Sequence, residues 1–350
     1  MSQRVILKED SFSLQFLTIN NYTGEIGDPF VADILREDYV LQEKIIVPPH
    51  LAAKATSFSA GSVASLQSNT PIIFIGHPDL PAQYSSVIAQ LEKGKSKAEK
   101  NNKAIKITSD GVNILYSAPI FSKQGGNSRS FIAAFNKISE TLQGFPMQES
   151  AIARTWLFMN NILKDYKKLN TAREQFFAKW YSAANHFIPA STGIQGHMIG
   201  NEALAVEFCA FSGNNITIKQ LSSPLQNEPT AYSKLFSRAV AVQFSNNILL
   251  FISGTAAIDK AGSSIHIGNF QRQMEFTLNV VKAILDTVNA NYANIAQSVI
   301  YLKRHGDFST CMRILDEHKF PVDRTIFQLD VDVCREDLLF EIELTAVIAK

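Results

Sequence analysis

The sequence predicts an α/β (α+β) fold of two tandem domains, with mixed sheets that carry helices packed on one face. Three observations predict it. Strand-like runs alternate with longer segments of helical spacing, and their order in the first half of the chain recurs in the second. The chain also has 350 residues, of which 46% are hydrophobic, enough to bury large cores without disulfides or metals.

The first half contains strand-like runs separated by segments of helical spacing. Residues 70–77 and 112–121 are apolar and bounded by turn residues, as buried strands are. Residues 130–142 have apolar side chains at helical spacing, and residues 203–212 return to a strand pattern. Residues 1–65 show no such order, so we expect an N-terminal extension there.

The second half follows the same order. Two strand-like runs flank the turn signal SNN within residues 239–258, and residues 270–288 have helical spacing. A strand (296–302), a short helix (308–318) and two closing strands (325–333 and 338–348) complete the predicted domain.

A weak internal repeat connects the two halves. AVEFCAFS (205–212) is similar to EIELTAVI (341–348), which places Glu207 opposite Glu343 and Ala205 opposite Glu341. AIARTWLFM (151–159) is similar to NIAQSVIYL (294–302). The repeat predicts one domain over residues 66–225 and a second over residues 230–350.

Charge and cysteine content exclude several function classes. The formal net charge is +1, so no overall field attracts nucleic acid or an anionic membrane. The three cysteines have no CxxC spacing, which fits a reducing compartment and predicts neither a disulfide framework nor a metal site. No apolar run approaches the roughly 20 residues of a membrane span, and no secretory signal is evident. We expect a cytoplasmic protein without membrane or nucleic-acid partners.

Two glutamates in the last predicted strand require a polar neighbour. Side chains alternate between the faces of a strand, so Glu341 and Glu343 share one face while Phe340 and Ile342 take the other. Most glutamates on strands are exposed, which favours a solvated or salt-bridged face. A subunit interface or a substrate would satisfy the same requirement, and the residues alone leave these alternatives open.

The C-terminal third resembles the YjgF/RidA (endoribonuclease L-PSP) family. The stretches that carry the resemblance are CREDLLFEIELTAV (334–347), LLFISGTAAID (249–259) and QRQMEFTLNVVKAIL (271–285). The family's domains form trimeric rings with sites between neighbours. The resemblance therefore implies a homotrimer, or a pseudo-oligomer within one chain, with a site between the two halves.

Five further stretches, in order, resemble the chorismatases, which carry a RidA-like domain of chorismate-mutase-like fold behind a related one. These are ARTWLFMNNIL (153–163), IPASTGI (188–194), EFCA (207–210), LFSRA (235–239) and SGTA (253–256). Chorismatases release pyruvate from chorismate without a metal or redox cofactor. Cys334 together with Glu341 resembles the branch that forms 3-hydroxybenzoate. The resemblance implies a small carboxylate substrate and no cofactor.

The resemblance also implies roles for individual residues. Glu341 would protonate the enol-ether methylene, and Cys334 would direct the product towards an aromatic ring. Carboxylates of the substrate would need arginines, although each arginine alone is typical of a protein surface. The remaining substrate-binding candidates are Arg154, Tyr232, Arg238, Gly254, Thr255, Ala256, Lys303 and Arg324.

Two other functions remain open at the level of sequence. A RidA-like imine or enamine deaminase would use an arginine and the strand glutamate, but it would leave the first 240 or so residues without a role. A non-catalytic protein that binds a small molecule in the same pocket is the second alternative. Among chorismatase products, 4-hydroxybenzoate and a dihydrodiol are also possible.

Overall fold

The computed structural model describes residues 2–22, 39–52, 72–122, 126–179, 187–198, 200 and 202–350. The strands of these residues form three sheets, which follow one another along the chain. They are called sheets 1, 2 and 3 below.

Sheet 1 is built from the first quarter of the chain. Its strands are β1 (Ser2–Lys8), β2 (Phe12–Tyr22), β3 (Tyr39–Val47), β4 (Ile72–Ile75) and β5 (Ala82–Leu91). They lie in the order β1-β2-β5-β3-β4. The sheet therefore takes strands from both sides of the boundary expected after residue 65. Where the domains begin and end stays a prediction.

Sheet 2 has seven strands. They are β6 (Ser96–Lys100), β7 (Ala104–Ser109), β8 (Val112–Ser117), β9 (Ile120–Phe121), β10 (Ile152–Met159), β11 (Ala190–Gln195) and β12 (Leu204–Gly213). Six of them follow the order β11-β10-β12-β8-β7-β6, and β9 pairs with β12.

Sheet 3 has six strands. They are β13 (Thr217–Leu221), β14 (Ala239–Gln243), β15 (Asn247–Ala256), β16 (Ile295–Leu302), β17 (Thr325–Leu329) and β18 (Phe340–Ala349). Their order is β13-β14-β15-β18-β16-β17.

The three sheets share one topology. Each sheet has a central strand (β5, β12 or β18) that is antiparallel to its neighbours. One neighbour is the first strand of a parallel pair (β3–β4, β10–β11 or β16–β17). An irregularity precedes the equivalent pairs Gln42–Val87, Arg154–Cys209 and Gln297–Thr345. The predicted register is confirmed. Glu207 lies two positions before Cys209, and Glu343 lies two positions before Thr345, the equivalent residue of sheet 3. The chain thus contains the sheet three times, whereas the sequence repeat indicated two copies.

Four α-helices join the strands of sheets 2 and 3. They are α1 (Ser128–Gln143), α2 (Ile162–Phe177), α3 (Phe270–Asp286) and α4 (Phe308–Glu317). Asparagine side chains accept a backbone N–H at the N-termini of α1, α2 and α3, each stabilising its helix by about 1 kcal/mol. Apolar helix faces pack against one side of each sheet, in separate cores for sheet 2 and sheet 3.

The opposite faces of the three sheets meet in one central core. Phe16, Tyr116 and Phe251 occupy equivalent strand positions, and all three belong to this core. The rings of Trp156 and Phe251 lie 6.4 Å apart between their centroids, which joins sheet 2 to sheet 3. Burial of a large side chain stabilises by about 1.5–3 kcal/mol, so this core fixes how the edges of the sheets meet.

Candidate active site

A polar pocket lies where the edge of sheet 2 meets sheet 3. Ser191 N–H donates to Ser253 Oγ (2.8 Å), and Ser237 N–H donates to the Pro189 carbonyl (3.0 Å). These bonds hold β11 against the first strands of sheet 3. The residues that line the pocket are Tyr166, Arg173, Ser191, Gly193, Tyr232, Lys234, Phe236, Arg238, Gly254, Ala256, Ile258, Cys334, Arg335 and Glu341.

Glu341 is the acidic residue among those that line the pocket. It follows the first residue of β18, where it pairs with Ala256 on one side and Tyr301 on the other, and it is 4% exposed. Burial raises the pKa of its carboxyl to about 8, the nearby Glu343 raises it too, and Arg154 opposes them. Loss of hydration disfavours the charged form of a carboxyl. Glu341 is therefore mostly protonated at neutral pH and can donate a proton.

Gly254 makes room for the Glu341 carboxyl. A Cβ atom at position 254 would lie 2.2 Å from Glu341 Oε1 and 3.0 Å from Thr192 Cγ2. The strand pairing of β15 with β18 shifts register between Ile252 and Thr255, and the Gly254 N–H there donates to Thr192 Oγ1 (2.9 Å). Glycine is needed here because another group occupies the space of a side chain.

Arg238 is fixed on the sheet 3 side of the pocket. Its Nε and Nη2 donate to the Asn227 carbonyl at 3.1 and 3.0 Å, and Nη2 donates to Tyr232 Oη at 2.6 Å. The Phe236 ring lies 5.9 Å from its guanidinium carbon. Burial lowers the pKa of Arg238, but an arginine stays charged at neutral pH. The result is a rigid cation in the pocket wall.

Helix α2 also contributes to the pocket wall, through Tyr166 and Arg173. Arg173 Nη2 donates to Asn170 Oδ1 (2.6 Å), and its guanidinium carbon lies 5.1 Å from the Phe236 ring centre. Arg173 Nε is buried and has no hydrogen-bond acceptor among the described residues. A buried donor left without a partner costs stability, and an anionic ligand would supply the acceptor.

Cys334 lies in the loop before β18, hydrogen-bonded to Tyr166. Burial raises the pKa of its thiol to about 12, and the nearby Glu341 raises it as well. At neutral pH the side chain is therefore a thiol, and the thiolate is the nucleophilic form of cysteine. The surroundings favour a shaping role for Cys334 over covalent catalysis.

The pocket is electropositive. Four of its lining residues carry cations and one carries a carboxyl, namely Arg173, Lys234, Arg238, Arg335 and Glu341. Burial lowers the pKa of Lys234, and the neighbouring Arg173 lowers it too. With Glu341 protonated, the pocket suits a ligand with more than one carboxylate.

Six of the ten residues singled out in the sequence line this pocket: Glu341, Cys334, Tyr232, Arg238, Gly254 and Ala256. Four do not. Thr255 turns its hydroxyl to the Ser253 carbonyl (2.8 Å), and Lys303 pairs with Asp332 (2.9 Å). Arg324 donates to the Ala293 and Ile295 carbonyls at 3.0 and 2.9 Å. Each of these side chains has a structural partner away from the pocket.

Arg154 is the fourth residue outside the pocket. Its Nη2 lies 2.5 Å from Glu343 Oε2 and also donates to Thr192 Oγ1. It lines a separate cavity in the centre of the three sheets, together with Lys44 and Glu343. Arg154 therefore acts on Glu341 through its charge, and Thr192, which accepts from Arg154, also accepts from the Gly254 N–H.

Sequence reasoning missed Arg173, Lys234, Arg335 and Tyr166. Lys234 directly precedes the LFSRA stretch, and Arg335 lies within the stretch CREDLLFEIELTAV, so both had a signal in the sequence. Arg173 and Tyr166 lie on α2, whose seven-residue spacing places them on one face. No local signal shows that this face lies opposite sheet 3.

The positions equivalent to Glu341 in the other sheets carry no carboxyl. Strand pairing places Ala205 opposite Phe158 and Gln83 opposite Ile46, as Glu341 lies opposite Tyr301. Gln83 instead binds the backbone of Phe327, donating to its carbonyl and accepting from its N–H, both at 2.9 Å. Of these three positions, only the one in sheet 3 provides an acid.

None of the helices in the described ranges is long and apolar enough to cross a membrane.

Comparison with known proteins supports the family resemblance. The Endoribonuclease L-PSP family model matches residues 226–348. A 3-hydroxybenzoate synthase from Streptomyces hygroscopicus is 26% identical over 234 residues, which are 60% of this chain and 67% of the relative. A chorismatase from Streptomyces rapamycinicus is 26% identical over 223 residues, 57% of this chain and 64% of the relative. The aligned part thus spans about two thirds of the length of each relative.

A solved structure extends the similarity to the whole fold. The crystal structure of a chorismatase at 1.08 Å resolution superposes with a TM-score of 0.71 and 18% sequence identity, covering 97% of this chain and 100% of that one. The predicted α+β class with tandem L-PSP-like domains is confirmed. The resemblance to the chorismatases, with a C-terminal endoribonuclease L-PSP domain, is confirmed as well.

Proposed function

We propose that this chain, a homologue of the chorismatases with an L-PSP domain at its C-terminus, converts chorismate into pyruvate and 3-hydroxybenzoate. The observation that carries the proposal is Glu341, a buried carboxyl with a pKa raised to about 8, in a pocket with four cationic side chains. A protonated acid beside several cations is what an enol ether with two carboxylates requires.

The cations of the pocket bind the substrate. Arg238 is held by Asn227 and Tyr232, so its guanidinium needs little further ordering when a carboxylate arrives. Arg173 also lines the pocket, and its Nε has no hydrogen-bond acceptor among the described residues. Lys234 and Arg335 add positive charge along the same walls. Two carboxylates can therefore be held apart, with the reacting side chain between them.

Glu341 starts the reaction by protonating the methylene carbon of the enolpyruvyl side chain. This carbon becomes a methyl group, and the adjacent carbon becomes an oxocarbenium-like cation. The bond between the ring carbon and the ether oxygen then breaks, and its electron pair stays on the oxygen that becomes the keto group of pyruvate. The ring hydroxyl oxygen, on the neighbouring carbon, then bonds to the carbon that lost the ether oxygen and gives up its proton, which restores the acid. The epoxide so formed opens by breaking the older of its two carbon–oxygen bonds. The carbon that keeps the oxygen loses its hydrogen as a proton, the oxygen gains one, and the ring becomes aromatic with its hydroxyl at position 3.

The atoms balance without a cofactor. The two products together contain all atoms of chorismate, so no oxidant, reductant or net water is consumed. Burial of Glu341 serves both stages, because a carboxyl with a pKa near the working pH can give up a proton and take one back.

Cys334 and Tyr166 support the aromatic product over a dihydrodiol. Their side chains are hydrogen-bonded to each other and lie beside Glu341. A dihydrodiol requires a water molecule to add to the ring, and this thiol and phenol fill part of the wall where that water would approach. The ring hydroxyl already present then remains the source of the product oxygen.

One chain contains all the side chains assigned to this site. They come from sheet 2, helix α2 and sheet 3 of the same chain. We therefore propose the pseudo-oligomer of the two arrangements expected from the sequence, in which three sheets of one topology replace three separate subunits.

The test is incubation of the purified protein with chorismate. Pyruvate is followed with a coupled assay, and the aromatic product is identified by chromatography. We expect equal amounts of pyruvate and 3-hydroxybenzoate. Pyruvate with a dihydrodiol would overturn the product assignment. No pyruvate, with turnover of a 2-aminoacrylate-type imine, would overturn the function in favour of a deaminase.

A further inference from the structure

A cluster of two histidines and one aspartate lies outside the pocket of Glu341. His77 follows β4 of sheet 1, whereas His305 and Asp330 follow β16 and β17 of sheet 3. The ends of three strands from two sheets thus come together at one point. Among the described residues, this is the group of histidine, cysteine and acidic side chains whose ligand atoms all lie within 4.8 Å of one another.

The carboxylate of Asp330 is shared by both imidazoles. His77 Nε2 lies 3.1 Å from Asp330 Oδ2, and His305 Nδ1 lies 3.0 Å from the same oxygen. In a tetrahedral zinc site with bonds of about 2.0–2.1 Å, neighbouring ligand atoms are separated by roughly 3.3 Å. The two distances to Asp330 Oδ2 are close to that separation, and all three ligand atoms lie within 4.8 Å of one another.

The surroundings hold each ligand in position. The His305 N–H donates to Asp330 Oδ1 at 2.9 Å, and the Asp330 backbone has a left-handed φ of 56° that directs its side chain towards the histidines. The His77 and His305 rings lie 5.1 Å apart between centroids. His77 is 10% exposed, whereas His305 and Asp330 are 62% and 45% exposed, so solvent can deliver an ion.

The backbone beside His77 fixes the tautomer of its ring in the absence of an ion. The Asp79 N–H donates to His77 Nδ1 at 3.2 Å, which places the ring proton of a neutral His77 on Nε2, facing Asp330. If Nε2 binds a cation, the proton moves to Nδ1. That shift breaks the hydrogen bond from the Asp79 N–H, and the Asp79 carboxylate, with Oδ2 3.7 Å from Nδ1, would have to move closer to accept the proton.

We propose that His77, His305 and Asp330 form a binding site for a divalent first-row transition ion, with zinc the best fit. Two imidazoles and one carboxylate, with room for water, form the ligand set that zinc accepts at an open site. The ion would tie sheet 1 to sheet 3. No residue of the cluster lines the pocket of Glu341, so the proposal does not depend on the reaction proposed above.

The competing explanation is a hydrogen-bonded group in which Asp330 accepts from both histidines without any ion. It accounts for the distances of 3.0–3.1 Å. The two explanations differ in one respect that can be measured, namely affinity for zinc at neutral pH that depends on these three side chains.

The experiment is a titration of the full-length protein, free of any histidine tag, with Zn²⁺ in the presence of a chromogenic chelator. We expect one zinc ion per chain, and His305→Ala and Asp330→Asn should each weaken binding by at least about ten-fold. Both side chains are exposed, so these variants should fold. His266→Ala is the control, because His266 is an exposed histidine outside the cluster.

A second measurement uses Co²⁺ as a spectroscopic probe. Visible absorption typical of four-coordinate cobalt should appear with the parent protein and with His266→Ala, and should be lost in His305→Ala. Zinc should also raise the melting temperature of the parent more than that of Asp330→Asn. If the parent binds zinc no more tightly than the His305 and Asp330 variants, the cluster is only an ion pair and the proposal is wrong.

Discussion

Glu341 and Glu343 lie two residues apart on the same face of β18, but only Glu343 is paired with an arginine: Arg154 Nη2 lies 2.5 Å from Glu343 Oε2. Glu343 has a second cationic neighbour, because Lys44 Nζ lies 3.7 Å from Glu343 Oε1. Glu341 instead lies over the backbone of Gly254, with its pKa raised to about 8. One glutamate thus serves as a buried structural anion, while the other is left protonated and faces the pocket.

Gly254→Ala should remove most of the activity while the protein stays folded. The new Cβ would lie 2.2 Å from Glu341 Oε1 and would push the carboxyl out of position. Because a general acid must lie within hydrogen-bond reach of its target, we expect a fall in kcat of about a hundredfold or more, measured as pyruvate release from chorismate.

Gly306→Ala is the matched control for this substitution. A Cβ at position 306 meets no atom within 4 Å, so the activity should be unchanged. An active Gly254→Ala protein would show that Glu341 need not occupy the place over residue 254 to act.

The rate of pyruvate release should fall as the pH rises through about 8. Glu341 donates a proton, and its pKa is about 8, raised mainly by burial. As far as Glu341 determines it, kcat/KM should therefore be constant below that pH and fall about ten-fold per pH unit above it. A rate that rises between pH 7 and pH 9 would mean that the essential group acts as a base.

The same group should make the fold less stable at high pH. The pKa of Glu341 in the folded protein, about 8, lies above the ordinary value of 4.5 that it has in the unfolded chain. The contribution of Glu341 to the free energy of unfolding is therefore fully present below pH 4.5 and is lost as the pH rises through about 8. Glu43 and Glu207, with pKa values raised to about 7, act in the same direction. The difference between the parent and Glu341→Gln, followed by urea unfolding from pH 5 to 9, isolates the contribution of Glu341.

Arg154→Met should destabilise the fold strongly. It would leave Glu343 buried with Lys44 as its remaining cation, and breaking a buried ion pair typically costs about 3–5 kcal/mol. Urea unfolding of the parent and the variant measures this loss in the free energy of unfolding.

Arg313→Met is the matched control for Arg154→Met. Arg313 also lies 2.5 Å from a glutamate, Glu317, but these side chains are 50% and 55% exposed. Exposed pairs contribute at most about 1 kcal/mol. Equal losses in the two variants would show that the Arg154 pair is not energetically distinct from a surface pair.

Cys334→Ala should change the product more than the rate. Burial raises the pKa of the Cys334 thiol to about 12, so little of the nucleophilic thiolate is present at neutral pH. Without the sulfur, water can reach the ring, and we expect pyruvate release within a few-fold of the parent and a larger share of dihydrodiol. Chromatography of the products checks this. Loss of all pyruvate release would instead assign Cys334 a role in the chemistry.

The sequence predicted the class of the fold and the register between sheets 2 and 3, because alternating side chains and the shared glutamates are local patterns. The equivalence of Glu207 and Glu343 follows from such a pattern. The sequence did not predict the third copy, sheet 1. There Ser85 occupies the position of Glu343, and Gln83 occupies the position of Glu341. Without the glutamates, the sequence of β5 gives no sign that it repeats β18.

The candidate site was predictable where it lies on sheet 3 and less so elsewhere. Glu341 and Gly254 belong to stretches that resemble known families, and they contact each other across two adjacent strands. Arg173 reaches the pocket only because β11 docks on β15, which no local pattern specifies. Arg154 differs from both, because its strand position faces the central cavity and not the pocket of Glu341.

The histidine–aspartate cluster shows the same limit. His77 and Asp330 lie far apart in the sequence, so no ligand spacing could indicate them. They meet because sheets 1 and 3 share the central core, and such contacts depend on packing across the whole chain.

The most direct test of the central claim compares Glu341→Gln with Glu336→Gln in the pyruvate assay with chorismate. The first change keeps the size of the side chain and removes its acidic proton, whereas Glu336 is an exposed glutamate of the preceding loop. We predict that kcat falls by about a hundredfold to ten-thousandfold in Glu341→Gln and is unchanged in Glu336→Gln. Full activity in Glu341→Gln would contradict the assignment of Glu341 as the proton donor.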